Sequence, residues 1–175
     1  LRSPMSFFLA TENKNTGIAF SGIPSGHEFT SLILAILQAG GGDLKLDQTT
    51  VESITKISEP LKFEIFVSLD CHNCPDVVQS VNKLSLLNPN ISSEMIDGGL
   101  FQELVKQKDI QGVPVVFLNG EFFSSGRVNM AKILSNLSPF MTSVSKTENT
   151  AQVIDIAVIG GGPAGISASI YAARK

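Results

Sequence analysis

Apolar residues in the middle of the chain, residues 61–139, switch between two spacings. Short runs rich in Val, Ile and Phe are typical of strands, whereas apolar residues that recur every three or four positions are typical of helices. The predicted order is strand, helix, strand, helix, strand, strand, helix, over residues 63–68, 72–87, 91–96, 100–108, 113–118, 121–125 and 129–138. This βαβαββα order predicts an α/β fold. The pair Asn119-Gly120 between the last two strands is a strong signal for a tight hairpin.

The N-terminal part of the chain repeats the end of that pattern, with two strands and one helix that stops at three glycines. These elements are expected at residues 4–9, 17–20 and 29–37, with the glycines at 40–42. The first of these strands is similar to residues 114–118. We therefore expect residues 1–45 to form the ββα end of a second unit whose βαβα beginning is missing, so that the chain starts within a domain.

Two connecting segments are expected. Residues 46–60 are predicted to be a connecting helix, with Thr49 and Glu52 at the spacing of a capping box. Residues 140–152 are rich in Ser and Thr and show no apolar period, which is typical of an interdomain linker.

In the C-terminal segment, residues 153–173 are mostly apolar and about long enough to cross a bilayer, but Asp155 and a glycine-rich turn interrupt them. A buried strand, a turn and a helix explain it better. The turn fits the dinucleotide-binding pattern G-x-G-x-x-G, and its residues are Gly160, Gly161, Gly162, Pro163, Ala164 and Gly165. Such glycines let the backbone approach a pyrophosphate at the start of a helix. A Rossmann-type domain is therefore expected to begin here and to be cut off.

Composition limits the classes of function. With 175 residues and 43% hydrophobic content, the chain can bury one large core or two small ones. A net charge of −3 without a long basic run argues against nucleic acid and anionic membranes as partners. No export leader opens the sequence, so a reducing, cytoplasmic compartment is expected.

The only two cysteines of the chain, Cys71 and Cys74, enclose a short loop where a predicted strand passes into a predicted helix. The unpaired N–H groups and the positive dipole end of such a helix favour a thiolate over a thiol. Cysteines placed in this way commonly have pKa values of roughly 3.5 to 7.5 instead of about 8.5. The pattern predicts reversible thiol–disulfide exchange.

Two other interpretations of the cysteines remain. Structural zinc normally needs four ligands, and besides the cysteines only His27 and His72 are present, the latter inside the loop. An inert structural disulfide is also conceivable, but so small a ring removes little entropy from the unfolded chain.

Two further residues are candidates for the site. Pro114 precedes a strand expected to run beside the cysteine loop, and a cis peptide there would expose the preceding backbone groups to an incoming chain. The alternative is an ordinary trans proline at the start of a strand. Glu28 stands three residues after Ser25, at the spacing of a capping box, and it could also hold a proton released near the thiols.

Several of these motifs together resemble one family, the F subunits of bacterial alkyl hydroperoxide reductases. The similar stretches are Gly26–Leu32, Cys71–Gln79, Asp97–Gly99, Gly112–Pro114 and Gly160–Gly165. This resemblance implies a thioredoxin-like fold at residues 61–139 that carries the dithiol. It also implies that residues 1–45 belong to a redox-silent thioredoxin-like fold, and that residues 153–175 begin an FAD domain of a reductase body.

The resemblance also implies a function. In that family, electrons pass from NADH through FAD and the disulfide of the reductase body to the N-terminal dithiol, and then to a peroxiredoxin. By position, Cys71 is the exposed nucleophile, Cys74 the resolving thiol, Pro114 the cis proline and Glu28 an acid near the dithiol. The full-length protein is expected to be a homodimer, and no cofactor is expected on this segment alone. The alternatives are a glutaredoxin-like or general disulfide reductase, or a metal-binding or interaction module.

Overall fold

The computed structural model describes residues 2–3, 5–12 and 14–140, together with the single positions 162, 167 and 170. The chain divides into two compact units, Leu1–Thr142 and Ser143–Lys175. Apart from Phe140, the predicted linker lies outside the described residues. The predicted strand–turn–helix of an FAD domain also lies outside them, except for the three single positions.

The described part of the first unit contains six strands and five α-helices, numbered here along the chain. The strands are β1 (Ser6–Thr11), β2 (Lys14–Ser21), β3 (Leu61–Val67), β4 (Ile91–Asp97), β5 (Val115–Leu118) and β6 (Glu121–Ser125). The helices are α1 (Phe29–Ala39), α2 (Gln48–Thr55), α3 (Cys74–Leu87), α4 (Gln102–Gln107) and α5 (Met130–Leu137). A short 3₁₀ turn, Gly26–Glu28, precedes α1.

The predicted α/β fold with βαβαββα order is confirmed. Most boundaries differ from the prediction by one or two residues, and two of these differences have a clear local cause. Helix α3 begins at Cys74 instead of residue 72, and Pro75 fits into its first turn, where a missing N–H costs no hydrogen bond. Strand β5 begins after Pro114, because a proline has no N–H to give to the sheet. The hairpin prediction holds: Asn119 and Gly120 both have positive φ, at 52° and 90°.

All six strands form one mixed sheet, in the order β1-β2-β4-β3-β5-β6. Strand β2 runs parallel to β4, with Ile18 opposite Ser93, so the N-terminal hairpin continues the sheet of the βαβαββα segment. Strand β3 lies between β4 and β5 and carries the chain towards Cys71. The assignment of residues 1–45 and 61–139 to separate domains stays a prediction.

Each face of the sheet has its own apolar cluster, because neighbouring residues of a strand point to opposite sides. On one face, Phe63 and Ile65 of β3 pack with buried residues of α1, α2, α3 and α5. On the other face, Phe66 belongs to a smaller cluster that Leu104 and Val105 of α4 cover. The loop at residues 68–73, which carries Cys71 and is called the redox loop below, therefore extends from a strand that is buried on both faces.

The predicted capping box at Thr49 and Glu52 is wrong. Helix α2 begins at Gln48, so Asp47 occupies the cap position, and its carboxylate accepts a hydrogen bond from the backbone N–H of Thr50 at 2.9 Å. Three hydrogen bonds to the Asp47 carboxylate, from Thr49 and Thr50, hold its pKa well below the ordinary value.

Among the residues that the structure describes, no helix combines the length and the apolar character that crossing a bilayer requires.

Candidate redox site

Cys71 and Cys74 are joined by a disulfide bond, with their Cα atoms 5.5 Å apart. Cys74 is the first residue of α3 and is fully buried, whereas Cys71 lies in the preceding loop and is partly exposed. The bond to Cys74 holds the sulfur of Cys71 at the first turn of α3, where backbone N–H groups lack partners within the helix. Neither sulfur is a free thiolate in this state, so neither is available to bind zinc.

The peptide bond between Val113 and Pro114 is cis, as the sequence analysis predicted. The carbonyl oxygen of Val113 lies 4.0 Å from Sγ of Cys71. The antiparallel pairing of β3 with β5, with Phe66 opposite Val115, places this loop beside the end of β3. The structure thus brings the Val113 backbone next to the more exposed sulfur.

The 3₁₀ turn Gly26–Glu28 contacts the redox loop from the N-terminal part of the chain. The backbone N–H of His27 donates to the carbonyl of Leu69 at 3.0 Å. Gly26 has a φ of 55°, and a Cβ atom there would lie 2.5 Å from that same carbonyl oxygen, so the close approach requires glycine. The rings of His27 and His72 lie with their centroids 4.1 Å apart.

The predicted capping box at Ser25 and Glu28 is wrong, because the side chain of Ser25 caps nothing and Glu28 points into the protein. Glu28 is fully buried, and neither of its carboxyl oxygens has a hydrogen-bond partner. Burial raises the pKa of Glu28 to about 7, against a smaller opposing effect of the nearby Ser31 hydroxyl, which does not reach hydrogen-bond geometry. A pKa of about 7 means that near neutral pH both the protonated and the ionised form of this carboxyl are populated.

A buried charge on the other sheet face was not anticipated from the sequence. Glu64, in the middle of β3, forms ion pairs with Arg2 and with Lys108, the latter at 3.3 Å. Burial alone would raise the pKa of Glu64, but the two cations hold it below the ordinary value. The signal in the sequence was a single acidic residue, Glu64, inside an otherwise apolar run.

The candidate cofactor residues fall mostly outside the part of the chain that the structure describes. Gly160, Gly161, Pro163, Ala164 and Gly165 lie outside it, and Gly162 is described only as a single position.

A βαβαββα fold with a Cys-x-x-Cys disulfide at the start of a helix defines a thioredoxin-fold disulfide oxidoreductase, and residues 61–138 match the thioredoxin domain family model. This is the class of the protein. The chain is homologous over nearly its whole length to the F subunits of alkyl hydroperoxide reductases.

The relatives are similar at a consistent level. The chain is 49% identical over 99% of its length to an NADH dehydrogenase of Bacillus subtilis, covering 34% of that protein. It is 47% identical over 97% of its length to the F subunit of alkyl hydroperoxide reductase of Pseudomonas aeruginosa, covering 33% of that protein. The chain thus spans about a third of the length of these curated relatives.

A solved structure agrees. A cysteine-to-alanine variant of the F subunit of the alkylhydroperoxide reductase of Enterococcus faecalis superposes with a TM-score of 0.73 at 40% identity. The match covers 79% of this chain and 66% of that one.

Proposed function

We propose that Cys71 and Cys74 pass electrons from a flavin reductase body of the same protein to a peroxiredoxin, as part of hydroperoxide detoxification. The observation that carries this proposal is the asymmetry of the pair: Cys71 is partly exposed and its sulfur lies beside the Val113 carbonyl, whereas Cys74 is fully buried. Homology to the F subunits of alkyl hydroperoxide reductases supports the choice of partner.

The proposed reaction begins with the reduced pair. The Cys71 thiolate attacks one sulfur of the peroxiredoxin disulfide; a Cys71–peroxiredoxin disulfide forms, and the second peroxiredoxin sulfur leaves as a thiolate. Cys74, after losing its proton, then attacks Sγ of Cys71. This step restores the Cys71–Cys74 disulfide and releases the first peroxiredoxin sulfur, so two electrons have moved to the partner.

Three groups are proposed to assist. The Val113 backbone, which precedes Pro114 and lies beside Cys71, is expected to hold an extended segment of the partner against that sulfur. Glu28, with a pKa raised to about 7, is suited to accept the proton that Cys74 loses and to return it later. NADH and FAD, held by parts of the full-length protein including Gly160–Gly165, would supply the two electrons that reduce the pair again.

The division of the chain into domains is part of the same proposal. We take residues 1–45 as the end of a redox-silent fold, 46–60 as a connection, 61–139 as the redox-active domain, 140–152 as a linker and 153–175 as the start of the FAD domain. A homodimer of the full-length protein and a cytoplasmic location complete it.

The assignment of the two sulfurs is tested by trapping. Reduced Cys74→Ser protein, mixed with oxidised peroxiredoxin, is expected to accumulate a disulfide-linked adduct through Cys71, because the resolving thiol is gone. Reduced Cys71→Ser protein is the matched control and is expected to form none, since Cys74 is buried. Non-reducing electrophoresis and mass spectrometry measure the adduct. Equal trapping by both variants, or by neither, would contradict the proposal.

A general disulfide reductase is the second candidate, because the family model that matches residues 61–138 is described only as a thioredoxin domain and names no substrate. Rates of reduction of oxidised peroxiredoxin, glutathione disulfide and insulin separate the two functions. Our proposal expects peroxiredoxin to be reduced fastest; equal rates for insulin favour the second candidate.

A further inference from the structure

A groove of about 520 Å³ opens beside the redox loop, on the sheet face that carries α4. One wall is the segment that follows α4, residues 109–113, and the opposite wall is formed by β6. Phe117 of β5 and Phe122 of β6 contribute its aromatic surface.

The groove exists because α4 is short. Its six residues extend about 9 Å, and Leu104 and Val105 cover the apolar cluster around Phe66. At the edge of the sheet Phe122 is left 63% exposed, and its ring is nearly perpendicular to that of Phe117 at a centroid distance of 6.2 Å. A lone exposed aromatic is ordinary, but this one lines a concave surface.

The groove is continuous with the redox site through one residue. Val113 lines the groove, and its carbonyl oxygen is the atom 4.0 Å from Sγ of Cys71. A polypeptide that lies along the Val113 backbone, with its cysteine at Cys71, therefore brings a neighbouring side chain to the groove.

The chemistry of the groove favours an apolar side chain. Ile110 and Val113 add to the two aromatic rings. The Lys108 ammonium lies 4.0 Å above the centre of the Phe117 ring, but Glu64 pairs with its charge at 3.3 Å. Because that cation is already neutralised, the groove offers little attraction for an anionic group.

We propose that this groove, and Phe122 in particular, selects protein disulfides in which an aliphatic or aromatic residue adjoins the reacting cysteine. The inference rests on the proposed function, because it assigns the substrate preference of the Cys71 reaction. Phe122 acts on specificity and has no part in bond formation.

The test uses the 175-residue chain with Cys74→Ser, reduced, and two synthetic peptides, Gly-Leu-Cys-Gly and Gly-Ser-Cys-Gly. Each peptide cysteine is a mixed disulfide with 2-thiopyridine. The Cys71 thiolate attacks the peptide sulfur, a Cys71–peptide disulfide forms, and 2-thiopyridone leaves, which absorbance follows. The Leu peptide is expected to react about tenfold faster than the Ser peptide.

Adding Phe122→Ser is expected to reduce the preference to about twofold, mainly by slowing the reaction of the Leu peptide. Phe122→Leu should retain most of the preference. Phe8→Ser is the matched control, because Phe8 is 55% exposed on β1 at the opposite edge of the sheet. This variant should retain the full preference for the Leu peptide.

Two results would overturn the inference: equal rates for both peptides with the parent protein, or a preference that survives Phe122→Ser. Either result leaves the redox proposal standing as long as both peptides react at Cys71. Absence of reaction with both peptides would contradict the proposed function and the inference together.

Discussion

Glu28 has a carboxyl group in a place where neither of its oxygens finds a hydrogen-bond partner. A fully buried acid of this kind is costly to ionise, so the folded protein binds its proton more tightly than the unfolded chain does. A carboxyl with a pKa of about 7 can accept or release a proton at neutral pH, which is the role proposed for Glu28 above.

The raised pKa of Glu28 predicts how stability changes with pH. Below the ordinary pKa of 4.5 the group is protonated in both states, so it adds no pH dependence to stability. Between pH 4.5 and about 7 only the unfolded chain releases the proton, so the free energy of unfolding falls as pH rises, by up to about 3 kcal/mol. Glu28→Gln should remove this loss, so the variant should gain stability relative to wild type between about pH 5 and pH 8, measured by urea unfolding.

Glu59→Gln, at an exposed carboxyl, is the control and should leave the pH dependence of wild type unchanged. A constant difference between wild type and Glu28→Gln across the same pH range would show that Glu28 titrates alike in the folded and unfolded states.

At this scale the sequence predicted the identities of the site residues better than their local roles. The spacing of the cysteines predicted a disulfide loop, and the family resemblance implied a cis peptide at Pro114 beside it; the structure has both. The spacing of Ser25 and Glu28 was misleading, because a capping box and a buried acid share the same local sequence. Only the docking of the 3₁₀ turn on the redox loop, a contact between distant parts of the chain, distinguishes them.

Asn88, at the end of α3, ties two elements together. Its side-chain amide donates to the carbonyls of Ile54 and Ile57, at 2.7 and 2.8 Å, and so joins the end of α2 to the end of α3. The side-chain oxygen of Asn88 accepts a hydrogen bond from the backbone N–H of Asn90 at 2.9 Å. The two bonds to the Ile54 and Ile57 carbonyls are shorter than the others that the same carbonyls accept, from the backbone N–H of Ile57 and from the side-chain amide of Asn90, both at 3.2 Å.

Asn88→Ala is expected to lower the free energy of unfolding by about 2–4 kcal/mol, because it removes three hydrogen bonds made by a buried side chain. Asn90→Ala is the comparison. From an exposed position, the side-chain amide of Asn90 donates to the carbonyls of Ile57 and Ser58 at 3.2 and 3.3 Å. Its loss should lower the free energy of unfolding by about 1 kcal/mol or less. Urea unfolding measures both variants. Similar losses for both would contradict this role of Asn88.

Element boundaries were largely predictable, because apolar period, Asn-Gly and proline are local signals. Strand β6 has the predicted bounds and β4 is one residue longer than expected. The cap of α2 was missed because Asp47, Thr49 and Thr50 can each cap a helix. The apolar period alone does not fix which of them precedes the first helical residue.

On the scale of the whole molecule, the parallel pairing of β2 with β4 joins the N-terminal hairpin to the sheet that carries the cysteines. Ile18 lies fully buried on β2, in the same apolar cluster as Val77 of α3. No local pattern predicts which strands of two segments will meet, since the pairing depends on contacts between residues about 75 positions apart, such as Ile18 and Ser93.

This arrangement predicts that the two segments unfold together. Ile18→Ala should lower the free energy of unfolding by about 2–4 kcal/mol. Amide hydrogen exchange should then accelerate as much in β5 as in β2, because both report the same global unfolding. Ile36→Ala, at a half-exposed position of α1, should cost about 1 kcal/mol or less. Faster exchange confined to β1 and β2 would show that the hairpin opens by itself.

The hydrogen bond from His27 to Leu69 also has a practical consequence for protein engineering. A segment that begins at residue 60 and is transferred into another protein would carry both sulfurs. It would lack the backbone N–H of His27, which donates to the Leu69 carbonyl. Such a graft is expected to need either the segment around Gly26 or a substitute donor from its new host.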